Sequence, residues 1–162
     1  MAELFDTNYV REGDFDPAIY HTPAVPVLIE LVRPRLDREL DTHPSMTFCL
    51  LQDRNGFNPV HNTRCSHPRR ANDRQWNMRH SRMQRLFEDA VSLATVRNIR
   101  PVIVKSYLRD MGDALEDNME FASPIFVKGR HWGAACMAYR LDDAQPRAGS
   151  VLAAADVARR SI

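Results

Sequence analysis

TFCLLQDRNGFNPVHNTRC, residues 47–65, is the stretch that decides the predicted fold. Its apolar run at residues 48–51 favours a strand in the centre of a sheet. The Asn55-Gly56 pair then favours a tight turn, because both residue types tolerate the positive φ that primed hairpin turns require. Residues 57–62 form a second extended segment. The stretch therefore predicts a β-hairpin, with polar side chains at the end of its second strand.

Two helices are predicted beside this hairpin. Residues 23–40 carry apolar side chains at helical spacing, and Pro34 inside this segment should kink the helix. Residues 78–94 carry one apolar stripe flanked by arginines, which is typical of a helix lying on a core. Residues 66–77 are polar and rich in turn-forming types, so we expect a loop over the sheet there.

Three further extended segments complete the pattern. Residues 102–110 alternate as a strand, and residues 121–127 and 131–139 form a hairpin with Gly129 at its turn. The order of helix, hairpin, helix, strand and hairpin predicts an α+β fold with an antiparallel sheet. The long N-terminal helix would cover one face of the sheet. The other face would form a ligand pocket with residues 66–94.

Length and charge limit the class of protein. The chain has 162 residues, from which we predict one domain over residues 1–140, then a linker and a short C-terminal helix over residues 141–162. Its 22 basic and 21 acidic side chains leave a net charge of +1, so no overall field favours nucleic acid or an anionic membrane. The N-terminus does not resemble a signal peptide, and no window is long enough to span a membrane. We expect a cytoplasmic protein.

Arginine is concentrated in one part of the chain. Between residues 64 and 100, nine arginines stand against three acidic residues. The pattern favours a solvated helix face, on which long stems cover apolar neighbours, over a surface that attracts anions. The interleaved acidic residues argue against a nucleic-acid interface. The arginines are at positions 64, 69, 70, 74, 79, 82, 85, 97 and 100.

Cysteine spacing does not indicate a disulfide scaffold or a zinc site. The three cysteines are Cys49, Cys65 and Cys136. A metal or haem site could use His61, Cys65 and His67, but no second cluster completes four ligands. A nucleophilic cysteine with a histidine base lacks the helix-start context that activates a thiol. We therefore expect no enzyme activity and no metal site, and the sequence leaves the cofactor open.

Candidate ligand-binding side chains lie at strand ends and on one strand face. Arg109 could hold a carboxylate through two hydrogen bonds, and Trp132 could supply an apolar wall. The alternative is that these groups only tie strand ends together, as half-buried polar side chains often do. The ligand we expect is small and polar or anionic. The candidates are His61, Asn62, Tyr107, Arg109, His131 and Trp132.

Several phrases of the sequence resemble one family when taken together. The resemblance is to the cytoplasmic PAS/Cache-like sensory module at the C-terminal end of some proteobacterial methyl-accepting chemotaxis proteins. It covers residues 4–139. The main phrases are DRNGFNPVHN at 53–62, SYLRDMGD at 106–113 and SPIFVKGRHWG at 123–133. Weaker similarity is found in LFDTNYVREG at 4–13, in the helix from Pro23 and in SRMQRLFED at 81–89.

The resemblance implies a PAS/Cache-like fold, sensing of a small molecule, a homodimer and association with chemotaxis signalling proteins. We therefore predict a sensory domain in which ligand occupancy shifts the packing of the N-terminal helix. The alternatives are a ligand-free dimerisation domain and a metal- or haem-binding sensor. The chain departs from the family in lacking a long heptad-rich hairpin for contacting a kinase. It also has Lys105, Cys136 and Cys65 where the family often has other polar, charged or aromatic residues.

Overall fold

The computed structural model describes residues 2–141, which form an antiparallel sheet covered by helices and loops. The predicted α+β class with an antiparallel sheet is confirmed. The predicted C-terminal helix and all but the first residue of the predicted linker lie outside the described residues. The helices are α1 (Val25–Leu40), α2 (Arg74–His80) and α3 (Ala90–Val96), with 3-10 turns at Glu3–Phe5 and Thr63–Cys65. The strands are β1 (Val10–Glu12), β2 (Ile19–His21), β3 (Met46–Asp53), β4 (Val60–His61), β5 (Ile103–Asp110), β6 (Leu115–Val127) and β7 (Arg130–Arg140).

The main sheet has five strands in the order β4-β3-β7-β6-β5, and each neighbouring pair is antiparallel. The first and last strands of this sheet along the chain, β3 and β7, therefore lie side by side in its interior. Strands β1 and β2 pair separately as a two-stranded hairpin. No helix within residues 2–141 has the length and apolar character needed to cross a membrane.

The hairpin of β3 and β4 forms, but its connection is wider than the predicted tight turn. Residues 54–59 join the two strands, and Gly56 has a positive φ of 91°. Asn55 has no positive φ, so the primed two-residue turn is absent. The carboxylate of Asp53 instead accepts hydrogen bonds from the backbone nitrogens of Asn55, at 2.8 Å, and Phe57, at 3.0 Å. These bonds fold the connection back onto the end of β3.

Helix α1 packs on one face of the sheet, which we call the outer face. Leu36 and Leu40 of α1 are buried against Met46, Cys49 and Val60. The opposite, inner face carries an apolar cluster to which α3 contributes one residue. That cluster consists of Phe48, Leu50, Val96, Ala122, Ala134, Cys136 and Ala138, with Ile103 and Tyr107 packed against it.

The predicted helix over residues 78–94 is wrong. Helix α2 begins inside the predicted loop and ends at His80, and α3 begins at Ala90. Residues 81–88 lie between the two helices without regular secondary structure. We call them the covering segment, because they lie over the inner face at the end of β5.

Tertiary hydrogen bonds replace the predicted helical ones in the covering segment. Its backbone pairs with the connection between β3 and β4 and with the turn that follows β4. An apolar stripe at helical spacing does not reveal such pairing, because the partner backbone is distant in sequence. The bonds run from Arg82 N to Cys65 O at 2.7 Å, from Gln84 N to Asn58 O at 2.7 Å and from Phe87 N to Gly56 O at 2.9 Å.

Candidate functional site

Three of the six predicted ligand residues meet on the inner face, and a fourth follows them at the end of β4. They are His61, Asn62, Tyr107 and Arg109, and three of them are buried while Tyr107 is half-buried. β4 ends at His61 beside β3, and β5 places Tyr107 and Arg109 two residues apart on one face. The charge of Arg109 contributes to the pKa shifts of both His61 and Tyr107, which places all three in one electrostatic environment.

Arg109 is the central charge of this site. Only 4% of its surface is exposed. Its Nη2 donates to Sγ of Cys65 at 3.6 Å, and its Nη1 lies 3.7 Å from a carboxylate oxygen of Glu116. The guanidinium carbon is 5.1 Å from the centre of the Phe48 ring. Within residues 2–141 its Nε is buried and has no acceptor, so part of its hydrogen-bonding capacity is unused.

His61 adds a second buried polar group with an unused nitrogen. Its ring centre lies 5.7 Å from that of Phe48, and no group in the described part of the chain pairs with its Nδ1. Burial lowers the pKa of His61 well below its usual value, and the charges of Arg109 and Arg82 lower it further. The imidazole is therefore neutral at pH 7. Beside it, the Nδ2 of buried Asn62 also has no acceptor among the described residues.

Two arginines of the covering segment lie within electrostatic reach of Arg109, and neither was among the predicted ligand residues. Burial lowers the pKa of Arg82 to about 9 and that of Arg85 to about 10, with further contributions from neighbouring arginines, Arg109 among them. Arg82 Nη1 donates to the carbonyl oxygen of Asp110 at 2.8 Å. We call Arg82, Arg85 and Arg109 the arginine cluster. Its chemistry is that of a site for a carboxylate or phosphate group.

The sequence contained one signal for these two arginines. Their positions lie in the arginine-rich stretch from 64 to 100, for which a solvated helix face was favoured over an anion-attracting surface. The helix is absent at Arg82 and Arg85, and both side chains are half-buried. The structure therefore contradicts a solvated helix face at these two positions, and the anion-attracting surface stays a prediction there.

Lys105 in the middle of β5 and Glu120 on β6 form a second pair of charges, which neutralise each other. Lys105 Nζ lies 3.6 Å from a carboxylate oxygen of Glu120, whose side chain is buried. The ammonium group also lies 5.5 Å from the centre of the Tyr107 ring. Burial raises the pKa of Glu120, and Lys105 opposes that shift. Burial also raises the pKa of Tyr107, which therefore keeps its proton.

The structure places His131 and Trp132 apart from this site. Trp132 Nε1 donates to the carbonyl oxygen of Leu4 at 2.8 Å, and His131 Nε2 lies 3.0 Å from the carbonyl oxygen of Gly133. Strand pairing aligns Tyr107 with Arg140 across β6. Trp132 is eight residues from Arg140 along β7, which is about 27 Å. His131 and Trp132 therefore contact structural neighbours at the far end of the sheet.

Other features of the described chain lie outside the arginine cluster. No three histidine, cysteine, aspartate or glutamate side chains in residues 2–141 are grouped so that they could hold a metal ion. All three cysteines are buried and free. A shallow cleft of about 480 Å³ lies near the N-terminal turn and the β6–β7 turn, and its lining does not include the arginine cluster. A ligand pocket over the inner face stays a prediction.

Comparison with known proteins does not assign a family. No protein-family model matches the sequence, and no curated protein matches it. Among solved structures, the PAS domain of BvgS from Bordetella pertussis is similar with a TM-score of 0.43 and 11% sequence identity. That alignment covers 84% of this chain and 99% of the BvgS chain. A likeness of this extent assigns neither a function nor a ligand to this chain.

Proposed function

We propose that this chain is a non-enzymatic sensory domain that binds a small anionic molecule between the inner face and the covering segment. The observation that carries the proposal is that the Arg82 guanidinium donates to the carbonyl oxygen of Asp110, next to Arg109, while Arg85 lies within electrostatic reach of Arg109. Two of these guanidinium groups have buried nitrogens without acceptors in the described chain. Buried donors cost free energy when they are unpaired, so an anion that accepts from them would bind tightly.

Strand β3 offers a route from this site to helix α1. Its Phe48 lies on the inner face beside Arg109, while its neighbour Cys49 packs on the outer face against α1. A ligand that prefers one packing of the inner face would therefore bias the packing of α1 on the other side. In the chemoreceptor setting that the sequence phrases imply, α1 would pass this bias to chemotaxis signalling proteins in the cytoplasm.

Native mass spectrometry of freshly purified protein tests this function, because a sensory site often retains what it binds. We expect the native protein to have a higher mass than the denatured chain, because a bound compound is lost on denaturation. The Arg109→Ala variant should not retain that mass, whereas Arg100→Gln should, since Arg100 is exposed. Equal retention by Arg109→Ala would remove Arg109 from the site. The absence of any binder in native spectra and in a broad metabolite screen would contradict the sensory function.

Dimerisation through α1 is a second candidate function that a specific observation favours. Val27 and Leu31 lie one helical turn apart on α1 and are 50% and 70% exposed. Such an apolar stripe could pack against the same stripe of a second copy. Leu28 is half-buried and packs against the apolar cluster of the outer face, so changing it would disturb the core. Leu31 is the better residue to test.

Light scattering over a concentration series measures this association. We expect a dimer for the unchanged protein and a monomer for Leu31→Asp, because a charge in a paired apolar stripe is costly to bury. Arg38→Ala, at another exposed position of α1, should leave the dimer intact. A monomer at all concentrations, or a dimer that persists in Leu31→Asp, would contradict this interface.

A further inference from the structure

The arginine cluster carries more positive charge than the described chain neutralises. Arg109 has one carboxylate within 4 Å, that of Glu116 at 3.7 Å. Among residues 2–141, no aspartate or glutamate forms an ion pair with Arg82 or Arg85. The charge of Asp110 also acts on Arg85 from a greater distance, so the three guanidinium groups have one carboxylate in contact and a second one nearby.

Two arginines of the cluster have unused hydrogen-bond donors. The Nε of Arg109 and the Nη1 of Arg85 are buried without an acceptor in the described chain. Arg109 itself is 4% exposed, so bulk water does not satisfy its Nε. Buried polar groups are normally paired, and each exception calls for an explanation. A ligand with several acceptor oxygens would supply the missing partners.

Apolar surface beside the charges indicates an organic ligand. The ring of Phe48 lies under the Arg109 guanidinium, and Tyr107 packs against the same apolar cluster. A small carbon skeleton could contact these rings while its charged ends face arginine. The sheet supplies Arg109 and the covering segment supplies Arg82 and Arg85, so an anion between them would contact both layers.

We propose that the ligand is a small organic dianion, held by Arg109 from the sheet and by Arg82 and Arg85 from the covering segment. This inference rests on the sensory function proposed above and specifies the charge of the ligand. A short dicarboxylate and a phosphate monoester both fit, because each has two negative charges and several acceptor oxygens. A monoanion would offer fewer acceptor oxygens to the three guanidinium groups.

The test measures the unfolding temperature and the binding isotherm of the whole chain with matched probes. Succinate and glycerol 3-phosphate are the dianions, butyrate is a monoanion of the same chain length as succinate, and inorganic phosphate lacks the carbon skeleton. We expect at least one dianion to bind with a dissociation constant of about 1 mM or lower. The affinity for butyrate should be at least roughly tenfold lower. Binding by succinate alone identifies a dicarboxylate, and binding by glycerol 3-phosphate alone identifies a phosphate monoester.

Two variants distinguish a loss of ligand affinity from a loss of stability. Arg85→Gln should lower the affinity for the dianion by about tenfold to a hundredfold, because one charged hydrogen-bond donor is lost. Its unfolding temperature without ligand should not fall, since a buried unpaired charge is removed. Arg100→Gln should match the unchanged protein in both measurements. Equal affinity of Arg85→Gln and Arg100→Gln for the dianion would overturn the assignment of Arg85.

The outcomes also separate this inference from the proposed function. If butyrate binds and the dianions do not, the proposed binding of a small anion stands and the dianion is wrong. If inorganic phosphate binds as well as glycerol 3-phosphate, the carbon skeleton is unnecessary and the organic assignment is wrong. If no probe binds and native spectra contain no retained compound, both the inference and the proposed function fail.

Discussion

Arg109 Nη2 donates a hydrogen bond to Sγ of Cys65 at 3.6 Å, and this contact joins β5 to the 3-10 turn that follows β4. The same turn accepts a bond from the covering segment, because Arg82 N donates to Cys65 O at 2.7 Å. Cys65 thus links the sheet arginine to the segment that carries the other two arginines. Its small buried side chain leaves room for the guanidinium, which an aromatic side chain at this position would occupy.

Arg109→Met should separate ligand binding from stability. Methionine keeps an unbranched stem and removes the buried charge, while Glu116 remains partly exposed and can be solvated. We expect the free energy of unfolding without ligand to change by less than about 1 kcal/mol, or to rise, because replacing a buried charge by an apolar group is often neutral or stabilising. Urea denaturation measures this. A loss of several kcal/mol would instead make Arg109 a structural residue.

His61→Gln should reduce the loss of stability in weak acid. Because the pKa of His61 is depressed in the folded protein, the unfolded chain binds a proton first as the pH falls below about 6.5. The free energy of unfolding should therefore fall by up to about 1.4 kcal/mol per pH unit until the folded pKa is reached. Above pH 7 both states are neutral at this position.

The measurement is urea denaturation of both proteins at several pH values between 5 and 7.5. We expect the difference in free energy between the unchanged protein and His61→Gln to be constant above pH 7 and to shift in favour of the variant below pH 6.5. Glu120 contributes the opposite sign, since its raised folded pKa means that stability is lost as the pH rises through it. It is present in both proteins and cancels. A difference that does not change with pH would contradict a buried neutral His61.

The sequence predicted the parts of the site that local patterns specify. The period-two alternation of β5 placed Tyr107 and Arg109 on one face, and the structure places them there. The same alternation could not say which end of the sheet a residue occupies, so Trp132 was grouped with Tyr107, from which strand register separates it by about 27 Å. Strand pairing across β6 decides that position, and it is a long-range property.

The helix predicted over the covering segment was wrong for a related reason. Met83, Leu86 and Phe87 have helical spacing. The backbone of the covering segment nevertheless pairs with residues 56–66 in the folded chain. Local propensity is a weak prior that tertiary contacts override. Arg82 was therefore assigned to a solvated helix face, although it lies against the sheet. The excess of arginine over acidic residues was the remaining signal in the sequence.

Gly133→Ala should destabilise the protein far more than Gly129→Ala. A Cβ at Gly133 would lie 2.1 Å from the carbonyl oxygen of Gln52, so the backbone of β3 or β7 must move. We expect a loss of about 3 kcal/mol or more in the free energy of unfolding. Gly129 has open space and a φ of 76°, so its replacement costs about 1 kcal/mol from backbone strain alone. Equal losses in urea denaturation would contradict the close approach of β3 and β7.

Tyr9 and Asp53 should be energetically coupled, because their contact pins the N-terminal segment to the end of β3. Tyr9 Oη donates to Asp53 Oδ2 at 2.6 Å and accepts from Asn55 Nδ2 at 2.9 Å. Its ring lies 4.9 Å from that of Phe57, so Tyr9→Phe removes only the hydroxyl and keeps the packing. In a double-mutant cycle with Asp53→Ala we expect a coupling of about 1–3 kcal/mol, since a hydrogen bond to a charged group is lost in either single variant. Additive losses would mean that the hydroxyl and the carboxylate stabilise the fold independently, and that the connection between β3 and β4 does not need the N-terminal segment.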